Sequence, residues 1–157
     1  MVRLSQLIIR PFVPADQPAA RALILGGLGE RFGWIDETRN PDLDDIAASY
    51  APPQCIFLVA QSEHELIGAG ALRRTGKHSG EIVRVSVRSD WRGQGVGRAL
   101  VTRLVASARQ LGLRRVEVET NHDWYDAITL YQRCGFIPFA EDDESIYLAL
   151  DLGEGHK

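Results

Sequence analysis

Two rhythms of apolar and polar residues run along this chain. Short runs rich in β-branched and other apolar residues predict strands; longer segments in which apolar residues return every three or four positions predict helices. "LIIRPF" (Leu7–Phe12) predicts a first strand that stops at proline. In "PADQPAARALILGGLG", Pro14 and Asp16 mark a helix start and Gly26-Gly27 its end. "ERFGWIDETRNP" is read as a loop and "DLDDIAASY" (Asp42–Tyr50) as a short helix. "CIFLVAQ" and "ELIGAGALRR" predict a hairpin, and "GEIVRVSVR" (Gly80–Arg88) a further strand. The next helix runs to about Leu111, with Val96, Leu100, Leu104, Ala108 and Leu111 on its apolar face. "LRRVEVET" predicts a strand, "WYDAITLYQRC" a helix closed by Gly135, and "FIPFAE" and "SIYLALDL" the last two strands. The order β, α, α, three β, α, β, α, two β predicts a mixed α/β domain around one sheet.

Composition narrows the class. The chain has 157 residues, 45% hydrophobic and 25% charged, which predicts a single domain over 1–157 with a core of its own. Cys55 and Cys134 form no paired motif, and one cysteine with scattered histidines does not supply a zinc site, so no metal is expected. The net charge of −3 argues against nucleic acid as the main partner. No stretch approaches ~20 apolar residues, and "MVRLSQLIIRPF" does not read as a signal peptide. These features predict a cytoplasmic protein with no membrane partner.

The stretch "VSVRSDWRGQGVGRAL" (Val85–Leu100) carries the chemistry. A strand ends, three glycines fall at alternate positions, and a helix begins. The first turn of a helix leaves backbone N–H groups unpaired and carries partial positive charge. Glycines let a ligand approach that backbone closely. The amides of Gly93, Gln94, Gly95, Val96, Gly97 and Arg98, with the charges of Arg92 and Arg98, predict a phosphate site, best suited to a pyrophosphate. A P-loop would need Gly-Lys-Ser/Thr, which is absent. A dinucleotide fingerprint fails because its sixth position is Arg98 or Leu100. Glu117 or Glu119 sits where a ribose acid would, so a nucleotide-phosphate enzyme remains an alternative.

Arg92-x-x-Gly95-x-Gly97 after a strand resembles the coenzyme A loop of the GNAT family of N-acetyltransferases. "EIVRVSV" (Glu81–Val87) is similar to that family's central strand, and "DAITLYQRCGF" (Asp126–Phe136) to its A-I-x-L-Y-x-x-x-G-F helix. The resemblance covers about Leu7 to Leu150. It implies a mostly antiparallel sheet of about seven strands flanked by about four helices, and transfer of acetyl from acetyl-CoA to a primary amine of a small molecule or peptide in a ternary complex. A catalytically silent acyl-CoA-binding module is the alternative. Many relatives pair, so a homodimer is compatible. Two positions depart from the family pattern: Ser89 stands where proline is frequent, and Trp124 where asparagine is frequent, with Asn121 three residues earlier.

The resemblance assigns roles residue by residue. Tyr131 matches the tyrosine that protonates the coenzyme thiolate, and a phenol with a pKa of ~10 suits that task. Glu81 is the first candidate base: on an unbroken strand it shares a face with Val83, Val85 and Val87. Glu117 is the second, with Glu119 on its face, and the base can also act through water. Val85, Ser86 and Val87 hold the acyl and pantetheine arm, and Asn121 and Asp126 lie at the end of the coenzyme site. Cys134 matches no catalytic position, and His122 is the histidine nearest the site by motif. For the acceptor, Phe32 and Trp34 are candidate walls. Asp36, Glu37 and Asp42 are candidate cation attractors, and Arg73, Arg74 or Arg84 candidate readers of a carboxylate; these alternatives stay open.

Overall fold

The computed structural model describes residues 6–33 and 40–153. Seven strands form one open sheet: β1 (Leu7–Pro11), β2 (Cys55–Ser62), β3 (Glu65–Arg74), β4 (Ser79–Val87), β5 (Arg115–Asn121), β6 (Ile137–Glu141) and β7 (Ser145–Asp151). Their order is β1-β2-β3-β4-β5-β7-β6. Every neighbouring pair is antiparallel except β4 and β5. The helices are α1 (Gln17–Phe32), α2 (Ile46–Ser49), α3 (Val96–Gln110) and α4 (Tyr125–Arg133). The expected class, a mixed and mostly antiparallel sheet with four helices, is the one observed.

Two cores follow from the pleat. On one face Leu72, Ile82, Val116 and Val118 pack under Val96, Leu100 and Leu104 of α3. Gly68 and Gly70 present no side chain there, and a Cβ at Gly68 would lie only 3.0 Å from Leu100 Cδ1. Helix α3 therefore sits close to the sheet, which fixes the position of its N-terminus. On the other face Ala69 and Ala71 alternate with those positions and meet Ala20, Ile24 and Leu25 of α1, with Leu43, Ile46 and Tyr50 completing the layer.

Helix α1 does not end at Gly26-Gly27 as the glycines suggested. It continues to Phe32, and Gly33 closes it in the left-handed region (φ 81°), donating its N–H to Gly29 O at 2.7 Å. Its three interior glycines, Gly26, Gly27 and Gly29, cost about 1 kcal/mol each relative to alanine. Burial of Ile24 and Leu25 on one side, and of part of Leu28, offsets this. At the other end Asp16, 8 % exposed, accepts two hydrogen bonds from Arg10 (2.8 and 2.9 Å) and one from Val13 N–H (2.9 Å), which ties β1 to the helix start. The segment read as a helix over Asp42–Tyr50 is a 3-10 turn (Pro41–Asp44) followed by the single turn of α2.

Strand β4 is broken by a bulge. Ala71 pairs with Val83, but Ala69 pairs with Ser86, so β4 spends one residue more than β3 over that step. Arg84 takes the strained conformation, with φ 60°. The alternation reverses there. Val83 packs towards α1, whereas Val85 and Val87 pack towards α3. Glu81 therefore shares its face with Val83 but not with Val85 or Val87, which corrects the expectation from an unbroken strand.

A cleft where two parallel strands part

Strands β4 and β5 pair only over Ser79–Arg115, Gly80–Val116 and Glu81–Glu117. Beyond Glu81 the β5-facing edge of β4 has no strand partner, and the two strands diverge. A cavity of about 550 Å³ opens at this fork. Its walls are Val85, Ser86 and Val87 of β4, the loop into α3, Gly27, Leu28 and Arg31 of α1, and Trp124, Asp126 and Tyr131 around α4. A second cavity of about 500 Å³ lies on the α1 side and shares Leu28, Arg31, Val85, Ser86, Trp124 and Tyr131 with the first. The two meet at the fork.

The loop into α3 is shaped by its backbone. Trp91, 4 % exposed, pins the preceding 3-10 turn (Ser89–Trp91) into the core. Gly93 (φ 75°) and Gly95 (φ 91°) both need the left-handed region, and Gly95 is the N-cap of α3. Among the described residues no side chain caps that terminus, and Gly95, Val96, Gly97 and Arg98 of the loop and first turn line the cavity. A Cβ on Gly93 would meet nothing within 4 Å, which leaves room for a ligand against the peptide. Arg92 donates to Val87 O at 3.0 Å and pairs with Glu30 of α1. Gln94 turns away from the cavity, its amide 3.4 Å from Asp90 O, and its Oε1 is buried without a partner among the described residues.

The remaining expected site residues divide. Tyr131 is 7 % exposed, lines both cavities and stacks edge-on to Phe136 at 5.7 Å. Burial pushes its phenol well above the usual range, with a smaller opposing effect of Arg31. Asp126 lines the first cavity but is engaged by Arg31 at 2.8 and 3.1 Å, which lowers its pKa against the effect of burial. Asn121 ends β5 outside both linings; Trp124 occupies the wall instead. Phe32, half exposed, packs on Trp124 at 5.5 Å rather than lining either cavity. Trp34, Asp36 and Glu37 lie outside the described residues. His122 is held at the β6–β7 turn, 2.5 Å from Asp143 O. Burial raises the Cys134 thiol, with Arg98 opposing in part, and the thiol lies outside both linings.

Among the acids, Glu81 lines the second cavity and pairs with Arg73 at 2.8 Å. Glu117 pairs with Arg115 at 2.8 Å and faces neither cavity. Glu119, one alternation further along β5, lines the second cavity and accepts a hydrogen bond from a hydroxyl, Ser145 Oγ, at 2.9 Å. Arg84, expected to read a substrate carboxylate, instead clasps Asp42 with two hydrogen bonds (3.0 and 2.7 Å) and reaches Asn40 Oδ1 (3.1 Å). Tyr50 donates to the same Asp42 carboxylate at 2.5 Å. Burial alone would raise Asp42, but Arg84 and Tyr50 outweigh it and lower its pKa; burial and Asp42 together push Tyr50 up to about 12. Tyr50 was missed in the sequence because nothing local marks a bond to a partner eight residues earlier.

Comparison with known proteins gives the same answer by an independent route. A family model described as the acetyltransferase (GNAT) family matches residues 24–136. The rat N-acetyltransferase family 8 member 2 is 37% identical over 108 residues, which are 66% of this chain and 48% of that one. The chain thus spans about half the length of the mammalian relatives it matches. The N-acetyltransferase YjgM of Escherichia coli K12 is 30% identical over 136 residues, 82% of this chain and 81% of that one. The PaiA N-acetyltransferase of Thermoplasma acidophilum, solved with coenzyme A, superposes with a TM-score of 0.81 at 15% identity over 92% of this chain and 98% of its own.

Proposed function

Since the chain belongs to the GNAT acetyltransferase family, we propose that it transfers an acetyl group from acetyl-CoA to a primary amine, with both substrates bound at once. The observation that carries this reading is the fork itself. An unpaired strand edge and an uncapped helix N-terminus line one cavity, and a second cavity joins it at Tyr131.

The residues present fit the coenzyme. First-turn amides of α3, with Gly93 and Gly95 bare, would hold its diphosphate, as helix N-termini hold anions. The backbone of Val85 to Val87 would take the pantetheine arm as an added strand does. When bound, acetyl-CoA supplies an acyl carbon on a thiol leaving group. Burial holds the Tyr131 phenol in its protonated form near neutral pH, which leaves it an O–H donor for the departing sulfur. Of the three glutamates, we assign the ammonium and its proton to Glu119 rather than to Glu81 or Glu117. Both of those already answer an arginine, while Glu119 faces the second cavity with only a hydroxyl on it. One C–N bond forms and one C–S bond breaks; nitrogen loses two protons, the first to Glu119 as the ammonium becomes a nucleophilic amine and the second after attack, which replaces the one Tyr131 gives to sulfur, while Glu119 returns its proton to solvent.

The test is a pair of titrations followed by turnover. Coenzyme A should bind and raise Tm, while NAD and ATP should not. Acetyl-CoA with an amine panel should then release free thiol. Binding without thiol release for any amine would move the chain to the silent acyl-CoA-binding module.

A further inference from the structure

The second cavity contains opposite charges in equal number, and their pairing says what it accepts. Three guanidiniums among the described residues line it: Arg31, Arg73 and Arg84. Each is already occupied, by Asp126, Glu81 and Asp42 in turn. Glu119 is the lining carboxylate with no cationic partner among the described residues. Ile24, Leu28, Pro41 and Trp124 add apolar wall, and Ser86, Thr120 and Tyr131 add uncharged polar groups.

Arg84 is the least available of the three. Its side chain is 20% exposed, and Asp42 fills its fork with two hydrogen bonds while Asn40 takes a third. Tyr50 donates to the same Asp42 Oδ2 that accepts from Arg84 Nε. A bidentate pair of this kind satisfies the planar guanidinium where an incoming carboxylate would have to bind. A substrate carboxylate would then meet Asp42 rather than a free cation. Asp42 thus withholds the cation that would attract a carboxylate and presents an oxygen of like charge in its place, which makes it a rejecting element as well as a structural one.

We propose that Asp42 sets acceptor specificity: by closing the fork of Arg84 it makes the cavity refuse amines whose adjacent carbon bears a free carboxylate. Its substrates are primary amines with an uncharged neighbour to the nitrogen, received at Glu119. This rests on the acetyltransferase reading above. Free amino acids are excluded as a class, while their amides and the corresponding simple amines are admitted.

The experiment compares matched pairs that differ only in the carboxylate: phenylalaninamide against phenylalanine, and leucinamide against leucine, with phenethylamine as the amine lacking the group altogether. Thiol release from acetyl-CoA gives kcat/KM for each. The amides and phenethylamine should exceed the free acids by at least about tenfold. Asp42→Asn keeps the shape of the side chain but removes its charge and loosens its hold on Arg84. It should narrow that ratio at least about fivefold, mainly by raising kcat/KM for the free acids. Should the variant fail to fold, the wild-type ratio decides alone. Free acids used as well as their amides, or an unchanged ratio in Asp42→Asn, would each overturn the proposal. No turnover of any amine while coenzyme A still binds, or loss of coenzyme A binding by the wild-type protein, would instead sink the reading beneath it.

Discussion

Arg31, one residue before the end of α1, grips Asp126 in the first turn of α4 through two hydrogen bonds, at 3.1 and 2.8 Å. The same guanidinium lies 4.2 Å from the centre of the Trp124 ring, which also touches Phe32. Helices from both ends of the chain are thereby joined across the fork between β4 and β5. Residues 95 positions apart wall one cavity, and neither wall belongs to the sheet that the cavity divides.

This link should matter to the ligand more than to the fold. Arg31 and Asp126 are 33% and 67% exposed, and pairs of that kind contribute about 0–1 kcal/mol. Arg31→Ala should therefore lower Tm by no more than about 4 °C. The KM for acetyl-CoA should rise by about three- to tenfold, because the wall of the coenzyme cleft loses its tie. Differential scanning fluorimetry beside steady-state kinetics reads both. An unchanged KM would show that the tie is ornamental.

Tyr131→Phe separates chemistry from packing. The ring contact with Phe136 survives, so Tm and coenzyme A affinity should stay near wild type. The loss should fall on kcat, by about 10²- to 10⁴-fold, the usual reach of one proton donor. The pH profile adds a sign. Burial raises the phenol's pKa, so the folded state holds this proton more tightly than the unfolded chain does. Wild-type kcat should not decline between pH 7 and 9.5 through loss of this proton. The tyrosine's contribution to stability is complete below its unfolded value of ~10 and is lost only as the pH rises past it. A kcat that falls less than threefold in the variant would remove Tyr131 from catalysis.

Asp16 supports the entry to α1 and offers a stability test away from the cleft. Arg10 holds its pKa below the usual carboxylate range, against the opposing effect of burial, and Val13 N–H adds to the effect of Arg10. A group with a depressed folded pKa stabilises above its unfolded value of ~3.9, and that contribution disappears as the pH falls through the folded value. Asp16→Ala should cost about 2 kcal/mol at pH 7, since it strands a half-buried guanidinium and a backbone donor. Urea titrations at pH 7 and pH 3 should show the gap between variant and wild type closing at the lower pH. A gap that stays constant would mean that the charge of Asp16 is irrelevant.

The loop proposed to take the coenzyme was legible in the sequence as a glycine-bearing handover because its geometry is local. Arg92, Gly95 and Gly97 are set by one strand-to-helix handover, and a loop of six residues carries the whole signal. The acceptor end was not, because its decisive contacts are distant along the chain. Arg84 meets Asp42 across 42 positions, and Glu119 is singled out only by what pairs with its neighbours. Gly26-Gly27 misled for a different reason: helix-ending residues were read without the packing that carries α1 past them to Gly33. The bulge at Arg84 gave no warning at all, since arginine has no preference for a positive φ.

That bulge has a consequence for how this strand can change over time. A point substitution in β4 alters one side chain on one face. Losing or gaining a single residue between Val83 and Ser86 would turn the strand's far end over. The valines that wall the coenzyme cleft would then point at α1, and Ser86 at α3. Mutations that alter length should be purged from this stretch more severely than those that alter identity.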